Sequence, residues 1–182
     1  QELAKKKGVI LMDAIRTSYS VAYSRLLLLI KGGEIGNIIS VESTITNMSE
    51  FLNGVKPNSF MHLGAQALIP ILDILGCNYK DYRFYSKFQD SNDIFTKLDL
   101  IYDHAVASLK VAEGAKSEGQ LIITGTNGYI MVPAPWWKTD YFEVRYENAE
   151  DNQRFFYQLD GEGIRYEIVA FAKSVEVKKP MN

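Results

Sequence analysis

Residues 58–76 read NSFMHLGAQALIPILDILG and decide the fold, because they hold the most apolar helical run in the middle of the chain. Leucine and isoleucine recur there at helical spacing, which predicts one buried stripe, and Gly76 stands where a C-cap glycine ends a helix. Pro70 cannot donate a backbone hydrogen bond, so we expect the regular helix to begin near Pro70 or to bend there. His62 and Gln66 would then lie at the approach to the helix, where free N–H groups and the positive end of the dipole make a candidate site.

The segments around this helix indicate a run of strands with a helix on either side. Period-two alternation predicts strands over residues 38–48, 79–88, 94–102, 105–112, 120–124, 129–132, 141–146 and 154–158. Helical periodicity recurs over residues 18–31 and 163–175. Strands in succession, rather than strict alternation of strand and helix, predict an α+β fold with a large, mostly antiparallel open sheet and the helices on one face.

The first twelve residues show a different sequence pattern from the run of strands. Residues 1–7 are typical of the end of a charged helix closed by Gly8, and residues 9–12 form an apolar run typical of a buried parallel strand. These are features of an α/β unit rather than of the open sheet. We therefore expect the chain to be a fragment whose first residues pack in another domain.

Composition places the chain among globular proteins, since 47% of its 182 residues are hydrophobic. The 20 basic and 22 acidic residues are mixed along the chain, so neither nucleic acid nor a membrane is expected as a partner. No apolar run is long enough to span a bilayer and no signal-peptide core follows the N-terminus, so a cytoplasmic location is expected. The single cysteine, Cys77, is expected to be a buried apolar residue, and two histidines alone give no clustered ligand set for a metal.

Four stretches are similar to a known family. They are AKKKGVILMDAIRTSY (residues 4–19), LLIKGGEIGNIISVES (28–43), GQLIITGTNGYIMVPAPWW (119–137) and GIRYEIVAFAKSV (163–175). The second holds a G-x-I-G turn before a strand, and the third holds an I-x-G-T-x-G-x-I pattern. In this order and spacing they resemble the C-terminal half of the glucose–fructose oxidoreductase and inositol dehydrogenase (Gfo/Idh/MocA) family.

The resemblance implies an NAD(P)-dependent oxidoreductase of sugars and polyols. In that family a Rossmann domain precedes an α/β domain of the dihydrodipicolinate-reductase/glyceraldehyde-phosphate-dehydrogenase-like type, whose open sheet often mediates oligomers. Residues 1–14 would be the remnant of the Rossmann domain, and residues 15–182 the substrate and oligomerisation domain. The family's glycine-rich phosphate loop and Glu-Lys-Pro stretch are absent from the sequence, so NAD or NADP would be bound mainly by the missing domain. A homo-oligomer through the sheet face, and a fragment that is inactive alone, are the further implications.

The family's Asp-x-Gly-x-(His/Tyr) pattern falls on His62, Gly64 and Gln66, and both polar positions depart from it. Hydride transfer from a secondary alcohol requires a base for the hydroxyl proton. A histidine, with an unperturbed pKa of about 6.5, can serve as that base, whereas a glutamine can only hydrogen-bond. The resemblance makes His62 the catalytic candidate and Gln66 a substrate-binding candidate. The alternative is that both are polar residues bonded to the backbone near the helix start.

Two further positions are substrate-binding candidates. Arg16, at the domain junction in the family, could contact substrate or cofactor, or could form a structural salt bridge. Trp136, with its neighbour Trp137, could stack on a sugar ring, or could pack on the sheet or on a partner chain. A second function also stays open, that of a non-catalytic interaction or dimerisation module, because both polar residues of the family pattern have changed.

Overall fold

The computed structural model describes residues 1–48, 58–138, 140–159 and 163–179. Four α-helices occur in those ranges: α1 (Glu2–Lys7), α2 (Val21–Lys31), α3 (Ser59–Leu75) and α4 (Ile164–Val177). Short 3-10 turns at Arg16–Tyr19, Trp136–Lys138 and Ala149–Asp151 connect larger elements. No helix within the described ranges has both the length and the hydropathy needed to cross a membrane.

Helix α3 ends at the glycine that the sequence indicates and begins earlier than expected. The side chain of Asn58 caps it by accepting a hydrogen bond from the Met61 N–H (3.3 Å), and Gly76 follows the last helical residue with a φ of 79°. The helix starts well before Pro70, which is buried within it, so of the two expectations a start near Pro70 is wrong and a bend there stays a prediction. The residues of the predicted approach therefore form regular helical turns.

The strands form one eight-stranded sheet in the order β2-β3-β4-β1-β5-β6-β7-β8. Their bounds are β1 (Ile38–Thr46), β2 (Asp81–Gln89), β3 (Asn92–Ile101), β4 (Val106–Ala112), β5 (Leu121–Gly125), β6 (Tyr129–Val132), β7 (Tyr141–Arg145) and β8 (Gln153–Phe156). Neighbouring strands are antiparallel except β1 and β4, which are parallel. The mostly antiparallel open sheet that the sequence predicts is confirmed.

The parallel pair of β1 and β4 brings distant segments to one edge of the sheet. After the central strand β1 the chain forms α3, moves out to β2 and returns through β3 to β4. Because β4 is parallel to β1 and β3 is antiparallel to β4, the ends of β1 and β4 and the start of β3 share one edge. Hydrogen bonds from Ser59 to residues 93 and 113 place the start of α3 there too. This edge is called the β1/β4 edge below.

One face of the sheet packs against α2 and α3 and supplies the core. Alternate residues of the strands point to this face, among them the fully buried Val41, Leu109 and Leu121. Ala67 and Ile71 of α3 pack on them and are fully buried as well. Alternate residues on the opposite face are more accessible, and we call this the open face.

The first residues of the chain differ from the expectation. Helix α1 ends at Gly8 as predicted, with the left-handed φ of 63° that glycine tolerates. Residues 9–12, however, form no strand, and both Val9 and Leu11 are exposed, so the prediction of a buried parallel strand is wrong for this structure. A strand requires a neighbour that pairs with its backbone groups, and the described residues place none beside this segment.

Three other details differ. The helix predicted over residues 18–31 begins at Val21, because Ser20 caps it and a 3-10 turn precedes Ser20. Helix α4 makes its main contacts with that turn, Arg16–Tyr19, rather than with strands. Cys77, predicted to be buried, is exposed after the end of α3.

Candidate active site

Hydrogen bonds fix the first turn of α3 to the β1/β4 edge. Ser59 Oγ donates to the Asp93 carbonyl in β3 (2.6 Å) and accepts from the N–H of Glu113, the residue after β4 (3.0 Å). The Asp93 carboxylate accepts from the Phe60 N–H (2.9 Å) and the Thr96 hydroxyl (2.7 Å). A carboxylate at this end of a helix is stabilised by the free N–H groups and the dipole. The position of α3 is therefore set by polar contacts as well as by packing.

His62, in the first turns of α3, meets the carboxylate of Glu113. The distance from His62 Nδ1 to Glu113 Oε1 is 2.8 Å. The imidazole is 67% exposed, whereas the carboxylate is only 2% exposed. The other carboxylate oxygen, Oε2, is buried and has no hydrogen-bond partner among the described residues. The pair thus presents an accessible imidazole, able to exchange a proton, against a buried acceptor.

Gln66 and Arg16, which are far apart in sequence, line one cavity. Its volume is about 250 Å³, and its lining residues are Ala14, Ile15, Arg16, Gln66, Trp137 and Lys138. His62 lies four residues before Gln66 in α3, so their side chains are neighbours on one face of the helix. Because Pro70 has no N–H, the Gln66 carbonyl also lacks its usual helical donor. Arg16 and Lys138 contribute two cationic side chains to this cavity, Gln66 an amide and Trp137 an indole. Gln66 lies one helical turn from His62.

The two tryptophans lie in different environments. Trp136 is buried, and its indole N–H donates to the Thr44 carbonyl at 3.1 Å. Trp137 is half-buried and lines the cavity, and the two rings meet edge to face with centroids 6.2 Å apart. Of the two alternatives stated for Trp136, its position favours packing, and the candidate for stacking on a ligand becomes Trp137.

One contact connects the Arg16 turn to Trp137 of the cavity, and another connects α2 to α3. Thr17 Oγ1 donates to the Trp137 carbonyl (3.1 Å), and the Tyr23 hydroxyl donates to Asp73 Oδ2 of α3 (2.7 Å). Burial, reinforced by the charge and hydrogen bond of Asp73, raises the pKa of Tyr23 far above its usual range. The phenol stays protonated at physiological pH, so this link between α2 and α3 persists.

The cavity brings together two of the four residues chosen from sequence, Gln66 and Arg16, while His62 lies one helical turn before Gln66 and is not part of the lining. Trp136 is absent from this cavity but lines a neighbouring pocket with Arg16. Sequence reasoning missed Glu113, which is 51 residues from His62 along the chain. Its one local signal is an acidic side chain directly after an apolar strand, and many surface residues share that signal. Lys138 was missed because it follows the tryptophans in an irregular segment.

The residues of this chain do not fit a nicotinamide dinucleotide on their own. The sequence contains no G-x-G-x-x-G pattern, and the cavity is not lined by glycines at a helix N-terminus, which hold pyrophosphate in dinucleotide sites. For metals, the described ranges contain no group of three or more His, Cys, Asp or Glu side chains placed to hold an ion.

No protein-family model and no curated protein matches the chain. Solved structures do match over its full length. KijD10, a 3-ketoreductase from Actinomadura kijaniata in complex with NADP and TDP-benzene, has a TM-score of 0.82 at 13% identity, over 100% of this chain and 59% of that chain. Levoglucosan dehydrogenase in complex with NADH and levoglucosan has a TM-score of 0.79 at 15% identity, over 100% and 60%. An oxidoreductase from Agrobacterium radiobacter in complex with NAD+, L-tartaric acid and magnesium has a TM-score of 0.75 at 13% identity, over 100% and 59%.

These similarities are similarities of fold. The protein shares the open sheet and its helical layer with domains of these oxidoreductases, and the fold that the Gfo/Idh/MocA resemblance implied is confirmed. The chain spans about three-fifths of the length of the structures that it matches.

Proposed function

We propose that the chain is the C-terminal part of an NAD(P)-dependent oxidoreductase that acts on a sugar, a polyol or a related hydroxyl or carbonyl compound. The observation that carries the proposal is the accessible imidazole of His62 against buried Glu113, beside the cavity that Gln66 and Arg16 line. The shared fold supports it, because the three similar structures are oxidoreductases in complex with a nicotinamide dinucleotide.

In this proposal His62 handles the hydroxyl proton. Oxidation of a secondary alcohol removes a proton from oxygen and a hydride from carbon, and a bound nicotinamide supplies the hydride acceptor. The His62 nitrogen takes the proton and becomes part of an imidazolium, while the alcohol becomes a carbonyl compound. In the reverse direction the same nitrogen returns the proton to the carbonyl oxygen. His62 is therefore the acid–base group in both directions.

The cavity residues would orient the substrate. The Gln66 amide both donates and accepts, which suits a hydroxyl group, and the cations of Arg16 and Lys138 suit hydroxyl or carboxylate oxygens. The indole of Trp137 offers an apolar face for the C–H groups of a ring. This combination favours a small polyhydroxylated compound over an apolar one.

The dinucleotide would be held by residues outside this chain, because the residues present do not form a pyrophosphate site. The preference for NAD or NADP would be set there as well. The remnant assignment of residues 1–14 and the cytoplasmic location belong to the same proposal.

The test is a substrate screen followed by substitution at His62. The intact protein is assayed against sugars and polyols with NAD and with NADP. On the best substrate, His62→Ala should lower kcat by roughly 10²–10⁴-fold, the usual contribution of acid–base catalysis, with little change in dinucleotide affinity. Gln66→Ala should cost about tenfold, since an orienting group contributes less than the base. Full activity of His62→Ala would show that the proton leaves through another group.

A homo-oligomer through the open face is part of the proposal. Strand register aligns one row across that face, and the row consists of Arg83, Asp99, Ser108, Glu42, Ile122, Met131, Glu143 and Arg154. Its apolar centre at Ile122 and Met131, with the exposed Phe156 nearby, suits burial against a second copy. Light scattering at micromolar concentration should show a dimer or larger, and Met131→Glu should give a monomer. Leu28→Glu, an equally drastic change at an exposed leucine of α2, is the control and should leave the oligomer intact.

The alternative function is a non-catalytic interaction or dimerisation module. The observation that favours it is the departure of His62 and Gln66 from the family pattern. A protein that forms the oligomer, oxidises no sugar or polyol with either dinucleotide, and binds neither would be the module rather than the enzyme.

A further inference from the structure

We infer that Glu113 is a positioning residue that fixes the tautomer and orientation of His62, so that Nε2 of the ring is the nitrogen that exchanges the proton. The catalytic consequence of this inference rests on the proposed function. The arrangement of the two side chains does not, and it can be tested separately.

The hydrogen bond between His62 and Glu113 determines which ring nitrogen carries the proton. An ionised carboxylate only accepts hydrogen bonds, so the 2.8 Å contact between Glu113 Oε1 and His62 Nδ1 places the ring proton of a neutral imidazole on Nδ1. The lone pair is then on Nε2, at the far side of the ring. Because the imidazole is 67% exposed, this nitrogen can be reached by a hydroxyl group.

A second feature of the pair is its rigidity. Glu113 is held through its own backbone N–H, which donates to Ser59 Oγ in the first turn of α3, the turn that precedes His62. Ser59 is in turn bonded to the Asp93 carbonyl, and the Asp93 carboxylate accepts from the Phe60 N–H. The strand end that carries Glu113 and the helix turn that carries His62 are therefore bonded to each other directly. Such support is what keeps a functional imidazole in one orientation.

The Glu113 carboxylate also affects the charge that develops on the His62 ring. Glu113 Oε2 is buried without a hydrogen-bond partner among the described residues, which costs stability and is uncommon in folded proteins. Among the described residues, the imidazole of His62 is the one side chain that is hydrogen-bonded to this carboxylate. When the hydroxyl proton of the substrate moves to Nε2, the ring becomes a cation that keeps its Nδ1 proton, and the Glu113 carboxylate lies 2.8 Å from that nitrogen. The imidazolium is stabilised by this buried carboxylate, less strongly than in a fully buried pair because the ring itself is 67% exposed.

A spectroscopic test reads the ring directly. Nitrogen NMR of the intact protein, labelled at histidine, should show a neutral His62 ring protonated at Nδ1 with the lone pair on Nε2. Glu113→Ala removes the acceptor and should move the ring to a mixture in which the Nε2-protonated form is populated. Glu113→Gln, which keeps the shape, serves if Glu113→Ala does not fold, and should also reduce the Nδ1-protonated fraction. A wild-type ring protonated at Nε2, or a ring that neither variant alters, would overturn the inference.

A kinetic test asks whether Glu113 acts through His62. Glu113→Gln should lower kcat by about 10–100-fold with KM changed less than about threefold, as for other carboxylate partners of functional histidines. In the His62→Ala background the same substitution should have no further effect, because its target is absent. Glu34→Gln, at a half-buried glutamate that accepts a hydrogen bond from the Tyr146 hydroxyl and does not line the cavity, is the control and should leave kcat unchanged. Equal effects of Glu113→Gln in both backgrounds would overturn the inference.

The two tests separate the inference from the proposed function. If His62→Ala keeps full turnover, the proposed base is wrong, and the ring spectrum alone then decides whether Glu113 orients His62. If His62→Ala is inactive but the wild-type ring is protonated at Nε2, the proposed function stands and the inference fails.

Discussion

Two glutamates, Glu113 and Glu143, are buried among the described residues, and their carboxylates have different partners. Glu143, in β7, accepts from Arg145 at 2.6 Å and from Arg154 at 3.0 Å, so both of its oxygens are paired with cations. Glu113, after β4, has one oxygen on His62 and the other buried without a partner among the described residues. Each oxygen of Glu143 therefore has a cationic partner, whereas Glu113 has a partner for one of its two oxygens.

This difference separates a structural carboxylate from a candidate functional one. Two arginines stay charged at any physiological pH, so the pairing of Glu143 cannot change with protonation of its partners. A histidine gains and loses its proton near neutrality, so the charge beside Glu113 can change during a reaction. The unpartnered oxygen alone does not set Glu113 apart, because Asp93 Oδ1 is also buried without a partner among the described residues. The titratable partner does.

The largest effect on stability is expected at Asp93, which lies beside Glu113 at the β1/β4 edge. Asp93→Ala leaves the Phe60 N–H without an acceptor and removes the bond from the Thr96 hydroxyl, which keeps its contact with the Ser86 hydroxyl, so it should lower the free energy of unfolding by about 2–4 kcal/mol. Arg154→Ala at the other glutamate should cost less than about 1 kcal/mol, because that arginine is exposed. Urea denaturation of the two variants measures both values. Equal losses would mean that the helix start needs no carboxylate.

The next largest effect is expected at the two neighbouring tryptophans, Trp136 and Trp137, which should differ in their contribution to stability. Trp136→Phe removes buried volume and the hydrogen bond to the Thr44 carbonyl, and should cost about 2 kcal/mol of stability. Trp137→Phe should cost less than about 1 kcal/mol, but under the proposed function it should raise KM several-fold, because the ring lines the cavity. Denaturation and steady-state kinetics of both variants check this division. A rise in KM for Trp136→Phe alone would restore Trp136 as the ligand-stacking residue.

A smaller effect should distinguish the two glutamates themselves. Glu143→Gln leaves two arginines without a charge partner and should cost about 1–2 kcal/mol, limited by the exposure of those arginines. Glu113→Gln replaces a charge that is only half satisfied, so its stability should stay within about 0.5 kcal/mol of the wild type while its activity falls. Thermal and urea unfolding give the comparison. A larger loss for Glu113→Gln than for Glu143→Gln would make Glu113 a structural residue.

The smallest effect concerns a carboxylate–tyrosine pair at the end of β7 and appears only in alkali. The Tyr146 hydroxyl donates to Glu34 at 2.5 Å, and this hydrogen bond raises the pKa of Tyr146 from 10.0 to about 12. Between those values the folded state keeps a proton that the unfolded state loses. The stabilisation is therefore complete below pH 10 and is lost as the pH rises to about 12. In Tyr146→Phe the decline in unfolding free energy over that range should be shallower. An unchanged slope would show that the phenol titrates alike in both states.

Local signals allowed much of the fold to be predicted from sequence. Gly76 ends α3 in a way that depends on its lack of a side chain, so this end of the helix follows from the sequence, whereas the cap at Asn58 was recognised only in the structure. Alternation in the strands depends on which face each residue presents, and the open sheet follows from it. Pro70 shows the limit of such signals. Its cost to a helix is local, but the packing of a buried helix outweighs that cost.

The candidate site was predictable only in part. His62 and Gln66 lie four residues apart in one helix, so their neighbourhood follows from helical geometry. Arg16 reaches the same cavity through contacts of the turn that carries it, such as the bond from Thr17 to Trp137, and no local pattern encodes that contact. The burial of Trp136 and the accessibility of Trp137 depend on how their segment lies against β1.

Most helices and strands, the alternating faces of the strands and the imidazole on α3 could be predicted from sequence, because each depends on residues within a few positions of one another. The contact between Glu113 and His62 follows only from the tertiary structure. That contact requires β4 to lie parallel to β1, so that its end arrives where α3 begins. Strand order depends on how the whole sheet packs against its helices. The stabilising contacts lie between residues far apart in the sequence, so no short stretch of the chain predicts the order.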